Sequence, residues 1–182
     1  MSKKDILTEK GKELAFLLRH DQEAFDAGKI DNAGWRKISE LCTVGYTGDL
    51  IDKIVKTNNK KRYEYNDDKS CIRACQGHSI NVDVNLKEMT PPDMLYHGTA
   101  SRFIDSINEK GIISMGRLYV HLSDNKDTAL AVGKRHGKPI FIVIDAKRMY
   151  EDGCKFYLSN NGVWLTKKVD PKYFLLTLNA FI

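Results

Sequence analysis

The sequence predicts an α+β protein built as two lobes, and three observations carry that prediction. Helical periodicity is concentrated early in the chain and gives way to a candidate β-hairpin. A break at Thr90-Pro91-Pro92-Asp93 then reads as a linker. Beyond it, short strand-like runs outnumber helical ones, which points to antiparallel sheet. The expected units are residues 1–90, a winged-helix-like lobe of helices followed by a hairpin, and residues 91–182, an antiparallel β lobe.

The first helix is expected from about Thr8 to Arg19, where Leu14, Leu17 and Leu18 form an i, i+3, i+4 stripe. Its end, Arg19-His20, suits the negative end of a helix dipole. Ile30 to Trp35 reads as a turn, followed by a short segment through Leu41. Thr47 is a plausible N-cap for a helix carrying Leu50, Ile51, Ile54 and Val55 on one face. Arg62-Tyr63-Glu64-Tyr65 alternates like a strand, residues 66–70 are turn-like, and Cys71 to Cys75 is the returning strand. Val82 and Val84 alternate with Asp83, which predicts one more strand.

In the second lobe, Leu95-Tyr96 predicts a strand that stops at His97-Gly98-Thr99. An imidazole and a hydroxyl would then stand at its open end, and the glycine would let a ligand approach the backbone. A strand that merely ends in a turn fits the tripeptide equally well. A helix with Phe103, Ile104 and Ile107 on its apolar face should close at Gly111. Strands are expected at Leu118–Ser123 and Phe174–Leu178, with a short helix at Asp127–Val132 between the first of these and the next strand. Pro139 to Ile144 is almost wholly apolar, as a central strand buried on both faces would be. Phe156-Tyr157-Leu158 and Val163 to Thr166, joined through Asn160-Asn161-Gly162, read as a hairpin.

Composition narrows the class. The chain has 182 residues, 42% of them hydrophobic, and no apolar run of the roughly 20 residues a bilayer span requires. Met1-Ser2-Lys3-Lys4-Asp5 lacks the apolar core of a signal peptide, so a cytoplasmic protein without membrane contact is expected. The four cysteines form no CxxC pair, and Cys71, Cys75 and His78 have no evident fourth ligand, so no metal is expected. The net charge of +5 comes mostly from residues 91–182, which hold 13 Lys and Arg against 9 Asp and Glu. That excess permits an anionic partner without requiring one.

Cations and imidazoles recur at the ends of apolar elements: Arg19-His20, Arg62, His97, Arg117, His121 and Arg135-His136. No carboxylate pair accompanies them, and phosphate-loop and dinucleotide glycine motifs are missing. Any one of these side chains by itself reads as a solvated cation or a structural histidine. As a set they suit a phosphate-bearing substrate, because guanidinium binds phosphate oxygens in bidentate fashion and imidazole exchanges protons near neutral pH.

The order of short motifs along nearly the whole chain resembles one family. Leu17-Leu18-Arg19-His20, Asp31-Asn32-Ala33-Gly34-Trp35, Asn59-Lys60-Lys61-Arg62-Tyr63 and Ile72-Arg73-Ala74 with Gln76-Gly77-His78-Ser79 lie in the first lobe. Tyr96-His97-Gly98-Thr99, Val120-His121-Leu122-Ser123, Val132-Gly133 with Arg135-His136-Gly137, and Asn161-Gly162-Val163-Trp164-Leu165 lie in the second. Together they look like the NAD-dependent RNA 2′-phosphotransferases. The resemblance implies an ADP-ribosyltransferase-like second lobe, an active site between the lobes, and a monomer that moves an internal RNA 2′-phosphate to NAD. The products would be 2′-OH RNA, ADP-ribose 1″,2″-cyclic phosphate and nicotinamide. It implies a catalytic set of Arg19, His20, Arg62 and Arg117. It further implies NAD contacts from His97, Gly98, Thr99, His121, Ser123 and Arg135, and RNA contacts from Gln76, His78 and Ser79. The chain departs from the family pattern at Asp21-Gln22, Cys75 and Tyr119.

Two other readings compete. A protein ADP-ribosyltransferase would share the NAD lobe, but such enzymes commonly carry a Glu on the strand where this chain has Val163. A non-catalytic RNA-binding module would have no use for His97-Gly98-Thr99, so NAD binding separates it from both enzymes.

Overall fold

A computed structural model describes residues 3–179. They form an α+β chain whose sheets are all antiparallel, divided into two compact units at Asn85/Leu86. The division precedes Pro91-Pro92 because Lys87–Glu88 pairs with a strand of the second unit.

In the first unit, α1 spans Lys3–Arg19 and α2 spans Gln22–Asp26. After them come β1 (Arg36–Lys37), α3 (Ile38–Thr43), α4 (Gly48–Thr57), β2 (Tyr63–Tyr65) and β3 (Cys71–Ala74). The three strands pair in the order β1-β3-β2. Helix α1 is longer than the leucine stripe alone suggested. Leu14 and Leu18 pack with Leu41, Ile51, Ile54 and Ile72 into one core. Thr47 caps α4 as expected, its hydroxyl accepting from Leu50 N at 3.2 Å. Helix α2 was not expected; Asp21 caps it and also binds the buried Arg36 at 2.8 Å. The strand expected around Val82 does not form. Val82 is instead buried with Ala24, Ile30 and Ile80, and Asp83 N donates to Asn32 O at 2.7 Å. The alternation there reflects one-sided burial of a loop rather than ladder pairing.

The second unit contains β4 (Lys87–Glu88), β5 (Met94–Ala100), α5 (Ile104–Lys110), β6 (Ile112–Ile113), β7 (Val120–Leu122) and α6 (Lys126–Gly133). It continues with β8 (Pro139–Asp145), α7 (Ala146–Glu151), β9 (Tyr157–Leu158), β10 (Trp164–Thr166), β11 (Lys168–Val169) and β12 (Phe174–Asn179). One sheet runs β12-β8-β5, a second β4-β9-β10-β7, and β11-β6 form a third. Strand β8 is central, with Ile140, Ile142, Val143 and Ile144 all buried, as its apolar run foretold. A Tyr96↔Ser123 bridge joins β5 to the start of the loop after β7. Phe103 departs from its expected place: it is 40% exposed under the Arg102 guanidinium, while Ile104 and Ile107 face the core.

One reading of His97-Gly98-Thr99 is overturned, and another is narrowed. The strand does not stop there; β5 continues through Ala100, and His97, Gly98 and Thr99 pair with Ile142, Phe141 and Ile140. Nor is Gly98 open to a ligand on its Cβ side. A Cβ at this position would lie 1.6 Å from Ala129 O, so the glycine exists to admit the backbone of α6.

Candidate active site

The first unit gathers most of the predicted phosphate-binding side chains. Arg19 closes α1, and its carbonyl accepts from Ser79 N at 3.0 Å, tying the helix end to the Gln76–Ser79 loop. Gly77, at φ +92, lies against the Arg19 guanidinium; a Cβ there would sit 3.6 Å from Nε. His20 Nδ1 is hydrogen-bonded to Ser79 Oγ at 2.9 Å, and the ring lies 5.8 Å from that of Phe16. Arg62 follows a turn in which Lys61 adopts φ 44. Its backbone N–H and Nη1 donate to Asn58 Oδ1 at 3.3 and 3.4 Å. Its carbonyl accepts from Cys75 N at 2.9 Å. Arg19 and Arg62 line a single groove of about 660 Å³. Two arginines separated by more than forty positions thus line one space.

Supporting these residues are others that sequence reasoning did not assign. Arg73 Nε donates to Glu64 at 2.6 Å, Nη1 donates to Ala33 O at 2.9 Å, and the guanidinium sits 4.3 Å from the Trp35 ring centroid. It joins the Asp31–Trp35 turn to β2 and β3. Asn58, at the end of α4, orients Arg62. Its only sequence signal was a polar pair just ahead of Lys60-Lys61-Arg62. Cys75 donates its thiol to Lys61 O at 3.4 Å, and burial pushes its pKa up to about 11, so it stays a neutral part of the Arg62 turn.

His78 is not poised as a surface contact. It is 3% exposed, and its Nε2 faces Gly34, where a Cβ would lie 3.5 Å away. Burial, reinforced by Arg19, His20 and Arg73, pushes its pKa down to about 3. The unfolded ring takes up a proton near pH 6.5 and the folded ring does not. Stability from this group is therefore complete above pH 6.5 and is lost as pH falls toward about 3. His78→Gln should flatten the decline in urea midpoint between pH 7 and about pH 4, removing up to about 1.4 kcal/mol per pH unit. An unchanged slope would show that His78 is not the group responsible.

The second unit holds the residues expected to contact NAD. His97 Nδ1 donates to the carbonyl of His121 at 3.1 Å. A carbonyl can only accept, so Nδ1 carries the proton and Nε2 is an acceptor. Burial, with His136 nearby, lowers the His97 pKa and keeps the ring neutral. Thr99 is buried on β5. Ser123 Oγ accepts from Asn125 N at 3.1 Å at the start of α6. Arg135 is exposed beyond the end of α6, and Arg117 is exposed on the turn after Ser114. Tyr119 lies edge-on to Tyr157, with Lys167 Nζ 4.0 Å from its ring centroid. Among the described residues no cluster of His, Cys, Asp and Glu has metal-site geometry, and no helix is long and apolar enough to cross a membrane.

Residues 5–168 match the family described as RNA 2′-phosphotransferase, Tpt1 / KptA family. The chain belongs to this family. It is 47% identical over 166 residues to a probable RNA 2′-phosphotransferase of Flavobacterium johnsoniae, covering 88% of this chain and 91% of that one. It is 47% identical over 168 residues to a protein of the same description from Acaryochloris marina, covering 89% and 92%. A third so described, from Fusobacterium nucleatum, is 45% identical over 170 residues, covering 90% and 94%. The RNA 2′-phosphotransferase match spans parts of both compact units and takes in every candidate site residue named above.

Proposed function

We propose that this protein transfers an internal RNA 2′-phosphate to NAD, releasing 2′-OH RNA, ADP-ribose 1″,2″-cyclic phosphate and nicotinamide. The first unit is read as winged-helix-like and the second as ADP-ribosyltransferase-like. Family membership supplies the phosphotransfer. The observation that carries the assignment of residues is the convergence of Arg19 and Arg62 on one groove, with His20 held by Ser79 beside Arg19.

In the first step a phosphate oxygen attacks C1″ of the nicotinamide ribose, and the bond to nicotinamide breaks. In the second the ribose 2″-hydroxyl attacks phosphorus and gives up its proton to solvent, and the bond to the RNA oxygen breaks as that oxygen gains a proton. Arg19, Arg62 and Arg117 would hold the phosphate oxygens, and His20 would deliver the proton. The second unit fits NAD in one respect that its own geometry supports. The neutral His97 ring has Nε2 available as an acceptor, which suits the hydroxyl donors of a ribose. Thr99, His121, Ser123 and Arg135 are assigned to the same ligand. Gln76 is assigned to the RNA. Val163, just before β10, offers no carboxylate to activate a protein acceptor, whereas a phosphate monoester is already a nucleophile.

Incubating the protein with NAD and a 2′-phosphorylated oligonucleotide in chelator tests the reading. Stoichiometric nicotinamide, 2′-OH RNA and cyclic phosphate product are expected. Phosphate loss without NAD, or activity that returns only on adding a divalent metal, would overturn it. His97→Ala should weaken NAD binding about tenfold or more while leaving RNA affinity nearly intact. Separate titrations of the two ligands check this, and equal losses would refute the division of ligands.

A further inference from the structure

We infer that the groove along α1 is a binding track for the RNA strand flanking the 2′-phosphate, with Phe16 as a base-stacking platform and Lys12 as a backbone phosphate contact. This deepens the proposed reaction and rests on it for the identity of the substrate. The groove lies wholly within the first unit. Leu7, Gly11, Ala15 and Arg19, spaced by four, line it from α1, and Asn58, Asn59 and Arg62 line it from the turn after α4. From Leu7 to Arg19 the helix rises about 18 Å, longer than one phosphate group needs. The phosphate-binding pair, Arg19 and Arg62, therefore occupies one end of a much longer depression.

The charge of the lining favours a polyanion. Its charged members are Lys12, Arg19 and Arg62, and no carboxylate is among them. Thr8, Thr57 and the two asparagines add hydroxyl and amide groups that can meet phosphate and sugar oxygens. Thr8 and Lys12 also line the groove, and Phe16, one turn beyond Lys12 on α1, continues their row with His20 just past the helix end. Phe16 is 57% exposed, unusual for a phenylalanine, and its ring neighbours that of His20. An exposed aromatic beside a cationic groove is how proteins hold unstacked bases of single-stranded RNA. Lys12 reaches outward with its side chain 70% exposed, and its 2.8 Å ion pair with Glu9 is solvent-exposed and contributes little, so a phosphate can replace that partner.

The test compares a 2′-phosphorylated dinucleotide with hexanucleotides extended on the 5′ or the 3′ side. At least one extension should raise kcat/KM about tenfold, and Phe16→Ala with Lys12→Ala should abolish that advantage. Lys29→Ala, on an exposed turn outside the groove, should keep it. In parallel, fluorescence anisotropy with labelled 2′-OH oligonucleotides should show length-dependent binding. Lys12→Ala should lower the slope of log affinity against log salt by about 0.7. Equal use of all lengths by the unaltered protein, or an advantage that survives the double substitution, would overturn the track. If no oligonucleotide lost its phosphate, the proposed reaction would fail. The anisotropy series would still decide the groove, since length-independent RNA binding would refute it.

Discussion

Arg62→Ala, His20→Ala and Arg117→Ala are each expected to slow turnover by about 10²–10³-fold and to leave an RNA–2′-phospho–ADP-ribose species that migrates more slowly than substrate. The reason lies in the unequal demands of the two proposed steps. Nicotinamide is a good leaving group and the phosphate is already nucleophilic, so the first step needs mainly positioning. The second step adds charge to a crowded phosphorus and expels an alkoxide, so it depends on fixed cations and a proton donor. Arg62 is pre-set for this by Asn58 Oδ1, and His20 by Ser79 Oγ, so neither must be ordered at the moment of reaction. Single-turnover gels check the prediction. Slow reaction showing only substrate and final product in all three variants would mean that these residues do not act preferentially in the second step.

Gly98→Ala is expected to destabilise the second unit by several kcal/mol, enough to prevent its folding at ordinary temperatures. The new methyl would fall 1.6 Å from Ala129 O and 2.5 Å from Ala129 C, and both are backbone atoms that cannot rotate away. Relief would require α6 to move off β5. Gly133 resists that movement, because its own Cβ position lies 2.5 Å from Thr99 O. Helix and strand are thus in backbone contact through two glycines, and the pairing of β5 with β8 depends on the same strand. Gly48→Ala, at the start of α4 with open space around it, should be nearly neutral and serves as the control. Thermal melts compare the two, and a Gly98→Ala melting temperature within a few degrees of the parent would refute the packing argument.

Long apolar runs and local capping were legible in the sequence because their causes are local. Pro139–Ile144 read as a buried strand, and Thr47 announced α4 through a hydroxyl three residues from the amide it caps. Val82 and Val84 misled, because alternation records which side of a segment is buried and not whether a ladder partner exists. His97-Gly98-Thr99 misled in a related way. The glycine was visible, but the backbone that fills the side where a Cβ would stand is α6, from thirty residues further on.

By itself the sequence determined the α+β class, the order of most elements and, through its scattered motifs, the family. Those properties follow from periodicity, turn chemistry and residue identity, each carried within a short window. Only the tertiary structure decided that Arg19 and Arg62 share a groove, that Asn58 aims one of them, and that His78 is a buried neutral ring rather than an exposed contact. Only it showed that Asp21 both caps α2 and neutralises the buried Arg36. These are distance relations between side chains far apart in the chain. Burial sets their charge states, and burial exists only once the core of each unit has closed.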